Sequence, residues 1–238
     1  KDSELVNYNG ERARLYIKFL NSVRESKAEI TVSGKRSAVL NGVKLPSAVS
    51  LIGKFSAVVF SPSFLSVVEN GPAERRKFID TAVCQIKPSY AAVLAEYSKL
   101  LKQRNSLLKD VAFEASFLDI LDVIDEKISA AGERIAKERN EYLSVCAPVA
   151  GEIFSGISSG KEEIGFLYKR SYDSSSELRE VLRANRKSDI INKVTCFGPH
   201  RDDIEITLNG VSVKNFGSQG QKRSCAVVLK LAEAQILS

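Results

Sequence analysis

The sequence predicts a mixed α/β protein, with strands at both ends of the chain and a long antiparallel helical arm inserted between them. Three observations carry this. Apolar residues alternate at period 2 through much of the first seventy residues; the period changes to that of a helix at Gly71-Pro72; and the alternation returns after residue 160. Of 238 residues, 44% are apolar and 27% charged, enough to bury a core in one large domain or two lobes. No apolar run approaches the roughly 18 residues that a membrane helix needs, so a membrane-spanning protein is excluded.

The elements follow in order. Ala13, Leu15, Ile17 and Phe19 alternate with Arg12, Arg14, Tyr16 and Lys18, the pattern of a half-buried strand, and Ala28, Ile30 and Val32 repeat it. Asn41-Gly42 between apolar flanks marks a hairpin. Phe55 to Phe60 is a continuous apolar run and reads as a strand covered on both faces, ended by Ser61-Pro62. Beyond Gly71-Pro72, Phe78, Ala82 and Ile86 take helical spacing, and Pro88 opens a second helix through Val93, Tyr97, Leu100 and Leu107. Phe117 to about Tyr142 reads as an amphipathic helix of about seven turns. Ile164, Phe166 and Tyr168 form a strand, Ser174 to about Asn192 a short polar helix. Ile204, Ile206 and Leu208 then lead through Asn209-Gly210 into Val211 and Val213, a second hairpin, and a last helix runs from about Gln219 to the end.

Charge and cysteine usage narrow the class of protein. Lys+Arg 35 against Asp+Glu 29 gives +6, which permits an anionic partner without requiring one. The four cysteines (Cys84, Cys146, Cys196, Cys225) are dispersed and read as reduced, buried and cytoplasmic, with no disulfide framework or zinc site. Lys1-Asp2-Ser3-Glu4 is polar, so no signal peptide is expected. No methionine occurs, not even at position 1. That fits either an internal fragment or a sequence from which methionines have been left out, in which case some spacings are short by one residue.

Gly217-Ser218-Gln219-Gly220-Gln221-Lys222-Arg223 is the most informative stretch. Ser218 and Gln221 stand in the S-x-x-Q relation of a capping box, while Gly217 and Gly220 leave the helix start bare beside two cations. It reads either as a well-capped core helix, apolar on nearly every face and so buried along its length, or as a phosphate-binding helix end. Gly198-Pro199-His200-Arg201-Asp202-Asp203 holds the only histidine. A metal site on His200, Asp202 and Asp203 is disfavoured, because adjacent strand carboxylates point to opposite faces; a polar strand entry with buried salt links is the simpler reading. Gly156 to Glu162 mimics a phosphate loop but is one residue short, ends in Glu162 and precedes a strand, so it is rejected. No aliphatic run ends in Asp-Glu either, so this chain alone is expected not to hydrolyse a nucleotide. Arg75-Arg76-Lys77 and Lys99 to Arg104 are basic clusters on helices, each a solvated face or part of a phosphate-binding stripe.

Five stretches in order resemble the RecF family of bacterial DNA replication and repair ATPases, which are of the ABC type and related to structural-maintenance ATPases. They are Phe60-Ser61-Pro62, Gly71 to Asp80, Leu101 to Lys109, Gly198 to Asp203, and Ser218 to Arg223. The resemblance runs across the whole chain. It implies a portion of an ABC-type ATPase head: residues 1–70 as its β-rich part, 71–155 as the helical arm or second lobe, and 156–238 as the return strands, hairpin and signature helix. The family's phosphate loop would lie upstream and its metal-binding Asp strand downstream, which makes the chain a central fragment.

The resemblance further implies that Ser218, Gln219, Gly220 and Gln221 contact the γ-phosphate of ATP held by a partner subunit. Arg75, Arg76, Lys77, Lys102, Arg104 and Arg201 become DNA-binding candidates. Two subunits would sandwich ATP with magnesium, grip duplex DNA near a single-strand gap, and act with the RecR and RecO mediators in recombinase loading. That places the protein in DNA repair, replication, recombination and the SOS response, with a weak ATPase in the full-length protein. A non-catalytic DNA-binding or protein-interaction module that keeps the signature fold is the alternative. Two positions depart from the family pattern: Ser63-Phe64 stands where an acidic residue is usual, and Lys222 where Gln is common.

Overall fold

Asn41 and Gly42 both take positive φ (51° and 81°), as do Asn209 and Gly210 (48° and 78°), so each pair forms the primed turn that matches strand twist. Each asparagine also reaches across to a neighbouring strand: Asn41 Oδ1 accepts from the Lys27 N–H and Asn209 Oδ1 from the Glu163 N–H, both at 2.8 Å. In this computed structural model, residues 2–20, 24–110 and 117–238 are described, apart from the side chains of Ser3, Asp110 and Phe117.

The chain divides into two compact units, Lys1–Ser56 and Ala57–Ser238. The first is a four-stranded antiparallel sheet of β1 (Ala13–Leu20), β2 (Glu25–Ser33), β3 (Lys35–Leu40) and β4 (Val43–Lys44), in that order. Ala28, Ala38 and Leu51 form its core, with Phe19, Ile30, Leu40 and Phe55 packed around them. The alternation of β1 holds in register, Ala13 opposite Val32 and Ile17 opposite Ala28, but Leu15 and Ile17 stay 45% and 40% exposed. The cover over that face is therefore incomplete.

The second unit begins at Ala57, inside the apolar run Phe55 to Phe60. The strand expected over Phe55 to Phe60 does not form: Phe55 makes only an isolated bridge with Ile52, residues 56–60 have no strand partner among the described residues, and Val59 and Phe60 are exposed. A strand exists only by pairing, and the Ala57 N–H is taken instead by the Gln85 side chain at 2.7 Å. A boundary at residue 70 is likewise displaced to Ser56–Ala57, because Phe64, Leu65, Val67 and Val68 all pack into the core of the second unit.

Helices α1 (Ser66–Glu69), α2 (Pro72–Ile86), α3 (Pro88–Asp110) and α4 (Phe117–Ser158) follow. Tyr97 lies beside Gly132 and Arg104 bonds Asp125, so α3 and α4 run antiparallel as expected. α4 extends well past Tyr142 and carries Pro148 in its interior. The cost of about 3 kcal/mol for such a proline is outweighed by burial, since Tyr142, Leu143, Cys146, Ala150 and Phe154 continue the apolar stripe into the core. β5 (Ile164–Lys169) pairs antiparallel with β6 (Asp203–Leu208), and β6 with the short β7 (Val211–Ser212). The helix expected over Ser174–Asn192 is two, α5 (Leu178–Ala184) and α6 (Arg186–Asn192), broken at Asn185. Val213 leaves the hairpin and starts a turn of helix, α7 (Val213–Phe216), before α8 (Gln219–Leu237).

One core joins α2, α3, α4, β5, β6 and α8. Buried arginines brace it. Arg104, fully buried, donates to Asp125 at 2.6 Å, Asp189 at 2.6 Å and Thr195 Oγ1 at 2.9 Å. Arg104→Ala would leave buried Asp189 without a cation and Asp125 with Arg186 alone and should cost about 3–5 kcal/mol, whereas Lys102→Ala on the solvent side should stay within about 0.5 kcal/mol; urea unfolding of both variants measures the contrast.

Candidate functional site

The start of α8 is built by its own first residues. Ser218 is the N-cap in extended conformation; its Oγ accepts from the Gln221 N–H at 3.2 Å, and Gln221 Oε1 accepts from the Ser218 N–H at 2.8 Å. The capping box read from the sequence is therefore formed. Gln221 Nε2 also donates to Glu162 Oε1, tying the helix start to the chain entering β5. Gly217 is required where α7 turns into this cap, because a Cβ there would lie 2.6 Å from the Val213 carbonyl oxygen. A Cβ on Gly220 would meet only Ser218 Oγ, at 3.8 Å, and otherwise point into open space.

Four N–H groups are orphaned at a helix start. The box satisfies those of Ser218 and Gln221, and the Gln219 and Gly220 N–H groups are left facing solvent from exposed residues. With the positive end of the helix dipole behind them, they suit an anion. α8 is not buried on all sides: Arg223, Val227, Leu231 and Gln235, one turn apart, form an exposed stripe.

A second constellation surrounds Thr195–Asp203. His200 Nε2 lies 3.0 Å from the Thr195 carbonyl oxygen, which can only accept, so this nitrogen carries the proton. Nδ1 then accepts from the Tyr97 hydroxyl at 2.6 Å. Burial pushes the His200 pKa below its ordinary 6.5, and the nearby Arg201 and Arg76 charges add to this against the raising effect of the Thr195 bond. Asp202 accepts from the Ser171 N–H at 2.7 Å and the Tyr168 hydroxyl at 2.6 Å, while Asp203 turns the other way and holds Arg75 through two bonds of 2.7 and 3.0 Å. Both carboxylates and both imidazole nitrogens are thus committed, and no group of three or more potential metal ligands exists among the described residues. The salt-link reading of this stretch is the one the geometry supports.

The six basic candidates separate. Arg75 is 4% exposed and Arg104 fully buried; both guanidiniums are consumed inside the protein, which removes them as direct DNA contacts. Arg76 is half-buried, with Nη1 donating to the Asp202 carbonyl at 2.6 Å. Lys77, Lys102 and Arg201 are exposed. Arg76, through its bond to the Asp202 carbonyl, joins the stretch in which Arg201 stands between His200 and Asp202.

Sequence reasoning missed Arg139, which grips Asp80 through bonds of 2.8 and 2.9 Å and the Pro199 carbonyl at 2.7 Å. Burial disfavours its charge, but Asp80 outweighs this and holds the guanidinium above its ordinary range. The signal was present: Arg139 interrupts the apolar stripe that runs from Ile135 to Tyr142, Leu143 and Cys146. The thiols are free, two buried and two half-buried, and burial raises those of Cys84 and Cys146 to about 11 and that of Cys225 to about 12, which keeps them protonated.

No family model matches the chain. Among curated proteins, the DNA replication and repair protein RecF of Clostridium kluyveri is 36% identical over 243 residues, covering 100% of this chain and 66% of the relative. RecF of Acetivibrio thermocellus is 38% identical over 248 residues, covering 100% and 67%. The chain belongs to the RecF family. The solved structure of the recombination mediator protein RecF with ATP, in the RecFOR pathway, matches at TM-score 0.91 and 33% identity, over 100% of this chain and 66% of that one. A second, RecF with ATPrS, gives 0.90 and 34%. The mixed α/β fold is therefore that of RecF, and the chain spans about two thirds of the length of the relatives it matches.

The half-buried neutral histidine makes stability depend on pH. A folded-state pKa below the unfolded 6.5 means that the unfolded chain binds the extra proton, so stability falls as pH drops through 6.5 towards the lowered folded value. Unfolding midpoints in urea at pH 7.5 and pH 5.5 should differ in wild type, and His200→Gln should flatten that difference.

Proposed function

We propose that the whole protein is an ATP-dependent DNA-binding protein of recombinational repair and replication, and that this chain supplies the half-site that reads ATP on a second subunit. The observation that carries the reading is the exposed start of α8, where two unpartnered N–H groups, the Ser218 hydroxyl and the bare Gly220 face outwards together. That arrangement fits the γ-phosphate of a nucleotide held by another molecule, and the family's solved structures include ATP. Gln219 and Gly220 donate backbone N–H bonds, Ser218 keeps its hydroxyl in reach, and Gln221 fixes the cap.

The nucleotide, with its magnesium, would supply the charge that joins two subunits; its hydrolysis, slow in this reading, would release them. Among the described residues no group of three or more histidine, cysteine or carboxylate side chains gathers to hold the magnesium. The closed homodimer grips duplex DNA near single-strand gaps, with Arg76, Lys77, Lys102 and Arg201 as contacting cations. Cytoplasmic action with RecR and RecO on recombinase loading completes the proposal, and among the described residues no helix is long and apolar enough to cross a membrane.

Fluorescence anisotropy of labelled duplex DNA, with and without ATP, tests this on the whole protein. ATP should strengthen binding, and Ser218→Arg should abolish the gain. Gly220→Gln keeps the cap, covers the same N–H groups and should do likewise. DNA binding indifferent to ATP and to both substitutions would leave α8 as a capped core helix and favour the interaction-module reading.

A further inference from the structure

Cations on the second unit are not treated alike. Some of those beside α4 have carboxylate partners: Lys87 lies 2.5 Å from Glu138 and 2.8 Å from Glu141, Lys137 lies 3.9 Å from Glu141, and Arg179 lies 3.6 Å from Glu126, while exposed Lys127 and Arg134 have no ion pair among the described residues. Around the Thr195–Arg201 loop the exposed cations have no such partners among the described residues. Asp125, Asp189 and Asp202 are 2%, 0% and 1% exposed and fully engaged inside, so no carboxylate of theirs reaches the surface. Lys102, Lys109, Lys193 and Arg201 are all exposed, and none has an ion pair among the described residues.

Geometry places these cations on one face. Asn105 of α3 accepts from the Thr195 N–H at 2.8 Å and from its hydroxyl at 2.7 Å, which seats the loop on that side of the helix. At 100° per residue, Lys102 and Lys109 lie within about 60° of Asn105, one turn before it and one turn after, so they bracket the docked loop. Glu96, an exposed acid of α3, lies about 180° away. Lys193 is two residues from Thr195. The Thr195 carbonyl holds His200, next to Arg201 at the other end of the loop, where Arg76 bonds the Asp202 carbonyl. Along the α3 axis the two lysines are about 10 Å apart, about three phosphate steps of one DNA strand.

We propose that Lys102, Lys109, Lys193 and Arg201, set around the Thr195–Arg201 loop, form a binding face for the phosphate backbone of DNA, with the loop rather than the arm helices at its centre. This rests on the DNA-binding reading above, and it adds Lys109 and Lys193 to the contacts while Arg104 and Asp189 act beneath as positioning residues. The face carries no base-reading arrangement and is sequence-independent.

The test is the salt dependence of DNA affinity for the whole protein with ATP, between about 50 and 200 mM salt, on a labelled duplex and on the matching single strand. The variant Lys102→Gln/Lys109→Gln/Lys193→Gln should show a slope of log K against log salt shallower by about 2–3 than wild type, because each lost contact removes about 0.9 on duplex and 0.7 on single strands. Lys87→Gln/Lys137→Gln, at two lysines that already have carboxylate partners, should leave the slope unchanged. Unchanged thermal midpoints would confirm that both variants fold. A loss confined to the duplex or to the single strand supports the face and says which form it meets. Wild-type binding with the same slope in the triple variant overturns the face alone and points these cations towards an acidic protein surface. No binding of either DNA by wild type overturns the face and the DNA-binding reading together.

Discussion

Three arginines buried in one unit, each needing a carboxylate, set most of what the second unit can be. A guanidinium taken out of water loses several kcal/mol of hydration, and only close charge pairing with well-aimed hydrogen bonds offsets it. Arg75 finds Asp203, Arg104 finds Asp125 and Asp189, and Arg139 finds Asp80. Each also bonds the segment before β6 or its immediate neighbours: Arg104 reaches Thr195 and Arg139 the Pro199 carbonyl, while Asp203 is the first residue of β6 itself. Three helices distant in sequence thus converge on one short loop. The loop's geometry is fixed by charge, since apolar packing alone would tolerate a shift that these bonds do not.

That convergence explains why an irregular, glycine- and proline-containing stretch can present groups to solvent reproducibly. Its carbonyls and carboxylates are engaged inwards, and what remains outward is cationic. Arg201 is exposed because its neighbours on both sides, His200 and Asp202, are the ones held inside by Tyr97 and by Tyr168 with the Ser171 N–H. Breaking the inner set would expose buried carboxylates and cancel the outer charge, so the stability of the unit and the character of its surface rest on the same bonds.

How legible this was from the sequence depended on distance along the chain. The Asn-Gly turns and the Ser218–Gln221 cap involve residues within four positions of each other, and their geometry follows from local chemistry. Family resemblance was legible in the order of five short stretches. Arg75 and Arg104 were misread because their partners, Asp203 and Asp189, are 128 and 85 positions away. A charged cluster on a helix does not reveal which member turns inward. Arg139 was legible in principle as a charge inside an apolar stripe, the usual mark of a buried pair. The strand expected at Phe55–Phe60 failed for a related reason: its composition suits a buried strand, but pairing is non-local, and beyond the isolated Ile52–Phe55 bridge nothing among the described residues supplies a partner.

α8 shows what a buried charge adds that an apolar residue would not. Lys230 lies in the core with its ammonium 2.6 Å from Glu233, 4.4 Å from the Phe64 ring centre and 5.2 Å from that of Phe78. A well-packed aliphatic side chain there would be at least as stabilising. The lysine, however, has one place where its charge meets both a carboxylate and two aromatic faces. Each residue of register turns a helix by about 100°, so a slip of one residue would carry Lys230 out of that box. The box therefore fixes the rotation of α8 about its own axis, and the Gln221–Glu162 bond fixes its other end. The heading of the Gln219 and Gly220 N–H groups is then set by the core rather than by the loop that precedes them. A phosphate-reading helix end that must meet another molecule needs that constancy, and the buried ion pair supplies it in direction where it adds little in stability.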